Sequence, residues 1–238
     1  MELLRGERDL VRVGHRGAAA LAPENSFEAI EAAVAHGVDV VELDVATSVA
    51  GDLVLAHGPE VPAGAPQLDD GLALAARLGV GVLVDVKLPG VEAGVVAALG
   101  RHGLLERSFV SSFSFPILRR FAELEPALPR SLTYPEDRHG VSERPLVAPF
   151  LRPSLAVLRT LVPARLPRWL RASGARAVTL NAAVVSPRAV DVCHRLGVAV
   201  YAWTVDEAAL ATTLVETGID GIITNDPRIL PPGLRSHE

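Results

Sequence analysis

The stretch Val38-Asp39-Val40-Val41-Glu42-Leu43-Asp44-Val45 sets two carboxylates, Glu42 and Asp44, into a run of valine and leucine. Such a run reads as a strand buried on both faces of a parallel sheet. Side chains alternate along a strand, so Glu42 and Asp44 point to the same side. Two like charges side by side in a dry interior repel and lose hydration unless something positive joins them. One divalent cation, Mg²⁺ or Ca²⁺, would answer both costs, because hard carboxylate oxygens suit these ions. Pairing with arginines, or a strand end already in water, is the other reading of the same two residues.

More polar residues interrupt apolar strands at their C-terminal ends. His15 and Arg16 follow Leu10–Gly14, His57 ends the extended piece Leu53–His57, and Trp203 closes Val198–Trp203. Asp85 and Lys87, again two apart and on one face, close Val80–Val86, and Lys87 is the only lysine among 23 basic residues. Three carboxylates can hold one hard cation and leave positions open for substrate oxygens. Arg16 and Lys87 add positive charge that suits a phosphate. Two histidines can act as general base and general acid near neutral pH. The set describes metal-assisted phosphodiester cleavage. Taken singly, each residue has a plainer role: Asp85–Lys87 as an ion pair, Arg16 at the surface, Trp203 in the core. His36, His102, His139, His194 and His237 take that plainer role, as loop hydrogen-bonding residues.

The elements that must position these groups alternate along the chain. Strand patterns fall at 10–14, 38–45, 80–86, 109–113, 129–134, 177–181, 198–203 and 219–224. Helical patterns fall at 68–78, 91–101, 115–124, 187–196 and 206–216, and another runs from Pro23-Glu24-Asn25 to His36. Asn25 with Glu28 three residues on fits a capping box, with Asn25 in the cap position. Pro135–Ser173, rich in proline and arginine, predicts a partly helical excursion with one helix at Ser154–Leu161. Eight strand–helix units imply parallel strands joined by right-handed crossovers. The architecture expected is an α/β (β/α)₈ TIM barrel, a single domain over residues 1–238, with a doubly wound open sheet as the alternative. Such a barrel typically takes about 250 residues and carries its chemistry at the C-terminal strand ends.

Composition excludes several classes. A net charge of −5 supplies no basic field for nucleic acid, and 4% aromatics supply no base-stacking surface. Cys193 is the sole cysteine, so neither an internal disulfide nor a cysteine zinc site is available. Met1–Val13 is charged rather than apolar, and no apolar run reaches transmembrane length. A cytoplasmic protein without stable membrane insertion is expected; the sequence does not specify its oligomeric state.

The motifs His15-Arg16-Gly17, Pro23-Glu24-Asn25-Ser26, Val41-Glu42-Leu43-Asp44-Val45 and Leu55-Ala56-His57 resemble the opening of the glycerophosphodiester phosphodiesterase family. Ala202-Trp203-Thr204-Val205 and Gly218–Thr224 are similar to its closing motifs. The resemblance implies a TIM-barrel hydrolase that splits small-molecule glycerophosphodiesters into glycerol 3-phosphate and an alcohol, using a divalent cation. It implies His15 and His57 as the acid/base pair, Glu42, Asp44 and Asp85 as metal ligands, Arg16 and Lys87 on the phosphate, and Trp203 along the substrate pocket. It departs from the family in three places. Asp85 stands where the family usually has Glu, and His57-Gly58 where it usually has His-Asp. The stretch from Gly58 to Gly79 is much shorter than the insertion that usually covers the barrel mouth. Pro135–Ser173 is expected to serve as a different lid. A lysophospholipase D-like headgroup hydrolase is the alternative enzyme, and an inactive barrel that binds a phosphate ligand is the alternative outside catalysis.

Overall fold

Valine-rich strands that alternate with amphipathic helices leave each strand with two faces to bury, which a closed sheet wrapped in helices achieves. The computed structural model describes residues 1–4, 9–58, 60–135 and 148–230. Its strands are β1 (Val11–Gly14), β2 (Val40–Thr47), β3 (Leu53–Leu55), β4 (Gly81–Val86), β5 (Ser108–Ser112), β6 (Arg130–Tyr134), β7 (Ala177–Asn181), β8 (Ala199–Trp203) and β9 (Gly221–Thr224). Its helices are α1 (Phe27–Ala35), α2 (Leu68–Leu78), α3 (Glu92–Arg101), α4 (Phe115–Leu124), α5 (Ala148–Ser173), α6 (Pro187–Arg195) and α7 (Ala208–Glu216). Strand β1 pairs in parallel with both β9 and β2, which closes an eight-stranded ring. The short β3 lies outside the ring, antiparallel to the end of β2. The (β/α)₈ expectation holds, and the open-sheet alternative does not.

The alternation along β2 decides where the acids point. Val41, Leu43 and Val45 pack outward in a buried cluster with α1, α2 and α3 residues such as Ile30, Leu72 and Val95. Val40 faces inward with Val13, Leu83, Phe109, Tyr201 and Ile223, which fill the barrel below the site. Glu42 and Asp44 share the parity of Val40 and therefore project into the barrel above that plug. Each large apolar side chain in the plug is worth about 1.5–3 kcal/mol by its burial, which keeps the barrel floor closed to water. Cys193 is a buried free thiol on α6.

The structure changes two local expectations. Ser26, not Asn25, caps α1: its side chain accepts from Ala29 N, while Asn25 takes a left-handed backbone at φ 56° and turns its side chain elsewhere. Helix α5 runs far beyond Ser154–Leu161 and passes through Pro163 and Pro167. Packing accounts for this: Val162, Leu166 and Leu170 are buried against the barrel wall, and tertiary contacts outweigh the proline cost. The described part of the expected lid is thus a barrel-coating helix between α4 and α6; residues 136–147 lie outside the described residues. Among the described residues no helix is long and apolar enough to cross a membrane.

Candidate active site

The polar strand ends meet in one open-mouthed pocket of about 590 Å³ at the C-terminal end of the barrel. Parallel register makes this unavoidable for the acids. Asp44 pairs with Asp85 across β2 and β4, and Asp85 pairs with Ser111 across β4 and β5. One ligand oxygen from each of Glu42, Asp44 and Asp85 lies within 4.8 Å of the others. Glu42 and Asp44 are buried at 5% and 2% exposure, so their charges have almost no water to lean on.

Two cations offset them. The Lys87 ammonium bonds Asp85 Oδ2 at 2.8 Å and also contacts Asp44 Oδ1. Arg16 Nε pairs with Asp44 Oδ2 at 3.1 Å, its backbone N donates to Glu42 Oε2 at 2.7 Å, and its Nη1 donates to Glu24. Arg16 is buried rather than superficial, and holds a left-handed backbone at φ 51°. The next residue shows why the chain can turn so tightly. Gly17 sits at φ 85°, and a Cβ there would meet the Ala29 backbone at 2.5 Å, so only glycine fits beneath α1. The Asp85–Lys87 ion pair expected as the plainer reading is present, and it belongs to the pocket.

The charges do not balance. Burial opposes ionisation of Asp44, but Lys87 and then Arg16 outweigh it and hold its carboxyl below the usual range. Burial raises the Glu42 carboxyl well above its ordinary value, and Asp44 and Asp85 push it the same way. Burial likewise opposes the charge on Lys87, yet Asp44, Asp85 and Glu42 keep it firmly protonated. Three carboxylates thus face two cations, and Glu42 is the member left short of positive charge.

His15 and His57 line the same pocket, both half-buried. Burial lowers the pKa of each below 6.5; Arg16 adds to the effect at His15, while Asp44 opposes it at both. Both rings are therefore biased toward the neutral form that can accept a proton. Trp203 is partly buried along the pocket wall, with its indole N–H on the Thr179 carbonyl at 3.1 Å. All eight residues singled out in the sequence line this one pocket. Of the other histidines, His102 contacts Asp69 and His194 contacts Asp220 on the outside of the barrel, while His36 follows α1 at its C-cap; His139 and His237 lie outside the described residues.

Three supporting residues escaped the sequence reading. Asn25 Nδ2 donates to Asp44 Oδ2 at 3.1 Å and its Oδ1 accepts from Asp44 N at 3.0 Å. Ser111 Oγ donates to Asp85 Oδ1 at 2.5 Å. Asn225 Oδ1 lies 2.7 Å from His15 Nδ1. Asn25 carries a signal, since it sits inside Pro23-Glu24-Asn25-Ser26, but a cap is an equally good use for it; Ser111 and Asn225 carry none.

A closed parallel barrel with convergent carboxylates, cations and imidazoles at its strand ends defines a hydrolase-type (β/α)₈ site. The model of the glycerophosphoryl diester phosphodiesterase family matches residues 15–69 and 86–229. The chain belongs to that family, and it is an enzyme of the phosphoric diester hydrolase class. It is 25% identical over 255 residues to a glycerophosphodiester phosphodiesterase of Caldanaerobacter subterraneus subsp. tengcongensis, covering 92% of this chain and 95% of that one. Two solved structures share the fold. One is an Oleispira antarctica phosphodiesterase in complex with the product sn-glycerol-3-phosphate (TM-score 0.73, 19% identity, 92% and 94% coverage). The other is a glycerophosphodiester phosphodiesterase from Agrobacterium tumefaciens (TM-score 0.68, 22% identity, 92% and 98% coverage).

Proposed function

We propose that this pocket hydrolyses glycerophosphodiesters to glycerol 3-phosphate and an alcohol, with the whole chain acting as one catalytic domain. The observation that carries the reading is the convergence of Glu42, Asp44 and Asp85 beside Arg16, Lys87 and two imidazoles. Family membership supplies the substrate class, and the product bound in the Oleispira antarctica phosphodiesterase points the same way.

The acidic trio fits a divalent cation. Its oxygens lie close enough to share one ion, they are hard donors suited to Mg²⁺ or Ca²⁺, and Glu42 lacks a full counter-charge without one. When bound, the cation supplies positive charge to the phosphoryl oxygens. The chain's own residues do the rest. Arg16 and Lys87 bring fixed positive charge to the same place, which favours the extra negative charge of the transition state. One imidazole takes a proton from the attacking water as the water oxygen bonds to phosphorus. The other, starting in its protonated form, gives that proton to the departing alkoxide as its bond to phosphorus breaks, and is left neutral. Trp203 offers an apolar wall to the part of the substrate beyond the phosphate.

The test is a hydrolysis screen with glycerophosphocholine, glycerophosphoethanolamine and lysophosphatidylcholine, with Mg²⁺, with Ca²⁺ and with chelator. Turnover of the first two that stops on chelation is the expected result. Turnover of lysophosphatidylcholine alone would move the substrate class to lysophospholipids. His15→Ala and His57→Ala should each abolish turnover while the melting temperature stays near that of the parent. Full activity in either variant removes that histidine from the mechanism.

A further inference from the structure

His15, Asn225 and Asp206 form one hydrogen-bonded chain across the ends of β1, β9 and β8. Asn225 Oδ1 is 2.7 Å from His15 Nδ1. Asn225 Nδ2 donates to Asp206 Oδ2 at 2.7 Å, and Asn225 N donates to Asp206 Oδ1 at 2.8 Å. Backbone bonds fix both flanks: His15 N donates to Thr224 O at 2.8 Å, and Ala20 N donates to Asn225 O at 3.0 Å.

The chemistry of these groups settles where the protons are. An ionised carboxylate only accepts, so the Asn225 atom facing Asp206 must be the NH₂ group. The atom left to face His15 is then the carbonyl oxygen. An oxygen acceptor requires a hydrogen on His15 Nδ1. In a neutral ring, the lone pair must then sit on Nε2, the nitrogen on the far side from Asn225. Free histidine in water prefers the opposite tautomer, so this state has to be imposed.

We propose that Asp206 and Asn225 are positioning residues that hold His15 as its Nδ1–H tautomer and so make it the general base of the reaction. The inference rests on the catalytic reading of His15 given above. Nε2 takes a proton from the attacking water: an O–H bond breaks, an N–H bond forms, and the freed oxygen pair bonds phosphorus. His57, starting in its protonated form, is left to give that proton to the departing alkoxide as its P–O bond breaks, and ends neutral. A neutral amide, unlike a carboxylate at the same place, orients the ring without strongly favouring its charged form. His15 thus stays ready to accept a proton.

The test reads the tautomer directly. The full-length protein, labelled with ¹⁵N at its seven histidines, gives one set of ring signals that is missing from His15→Ala. At a pH where the ring is neutral, that set should show a protonated Nδ1 and a bare Nε2. An Nε2–H ring overturns the proposal even if His15→Ala is inactive. If His15→Ala is instead fully active, the catalytic reading falls and the base assignment falls with it.

Exchange of the relay partners gives a second arm. Asn225→Asp sets two carboxylates against each other and should lower kcat by about tenfold or more with little change in KM. Adding Asp206→Asn restores one donor facing one acceptor while a carboxylate oxygen still faces His15 Nδ1, so the double variant should show the Nδ1–H signal and regain most of kcat at high pH, with the acid limb of its pH–rate profile moved upward. A double variant no better than Asn225→Asp overturns the relay, because loss of local structure alone gives no reason for rescue.

Discussion

Asn25 grips Asp44 twice, donating through Nδ2 to one carboxylate oxygen and accepting through Oδ1 from the same residue's backbone N–H. Residues 19 apart in sequence are thereby locked together at the centre of the pocket. The grip depends on the left-handed backbone at Asn25, a conformation that asparagine and aspartate tolerate better than most residues. Asn25→Asp should therefore keep the fold, yet it exchanges a donor for a negative charge against Asp44. Partners of metal ligands of this kind typically matter by about 10–100-fold in affinity or activity. Calorimetric titration with Mg²⁺, set beside steady-state kinetics, reads both; an undiminished affinity would leave Asn25 a merely structural residue.

Lys87→Met removes the ammonium that touches both Asp44 and Asp85. Breaking a buried ion pair from one side typically costs about 3–5 kcal/mol, because the other charge stays behind. In chelator the variant should melt well below the parent. Saturating Mg²⁺ should narrow that gap, since the ion supplies the missing charge. Its kcat/KM should fall even with the ion bound, because the phosphate has lost a cation. A kcat/KM equal to the parent's would contradict the phosphate role.

The raised Glu42 carboxyl makes the metal-free protein sensitive to pH in a fixed direction. Its folded pKa lies above the ordinary 4.5. The stability contributed by its neutral form is complete below that ordinary value and is lost as pH rises through the folded pKa. Melting curves in chelator should thus decline from mildly acid toward neutral pH, and Glu42→Gln should flatten the decline. Asp44 acts oppositely: its depressed pKa contributes stability above 3.8 that is lost only as the solution becomes strongly acid. Cation binding should release the Glu42 proton and so tighten as pH rises. Proton uptake instead of release, measured in two buffers of different ionisation enthalpy, would count against Glu42 as a ligand.

Much of this was legible in the sequence because strand parity is a local rule. Glu42 with Asp44, and Asp85 with Lys87, announce a shared face by their spacing, and a barrel leaves strand ends nowhere to go but the same mouth. Boundaries were harder. Asp206 reads as the first residue of a helix but stays outside α7, which begins at Ala208, and turns to Asn225 instead. Asn25 and Ser26 are both good caps, and only the backbone angle at Asn25 decides between them. Prolines in α5 argue for a break that burial of Val162, Leu166 and Leu170 overrides. The Asn225–His15 contact spans 210 residues, and no spacing rule reaches that far.

The pairing of Asp44 with Asp85 on neighbouring staves has a consequence for how such an enzyme could change its diet. The gap between those two acids is inherited from the rungs of the β2–β4 ladder, not from any loop. Trimming or grafting the segments around the rim alters which molecules gain entry. The grip on an ion underneath is left as it was, so new appetites can be tried without rebuilding the engine.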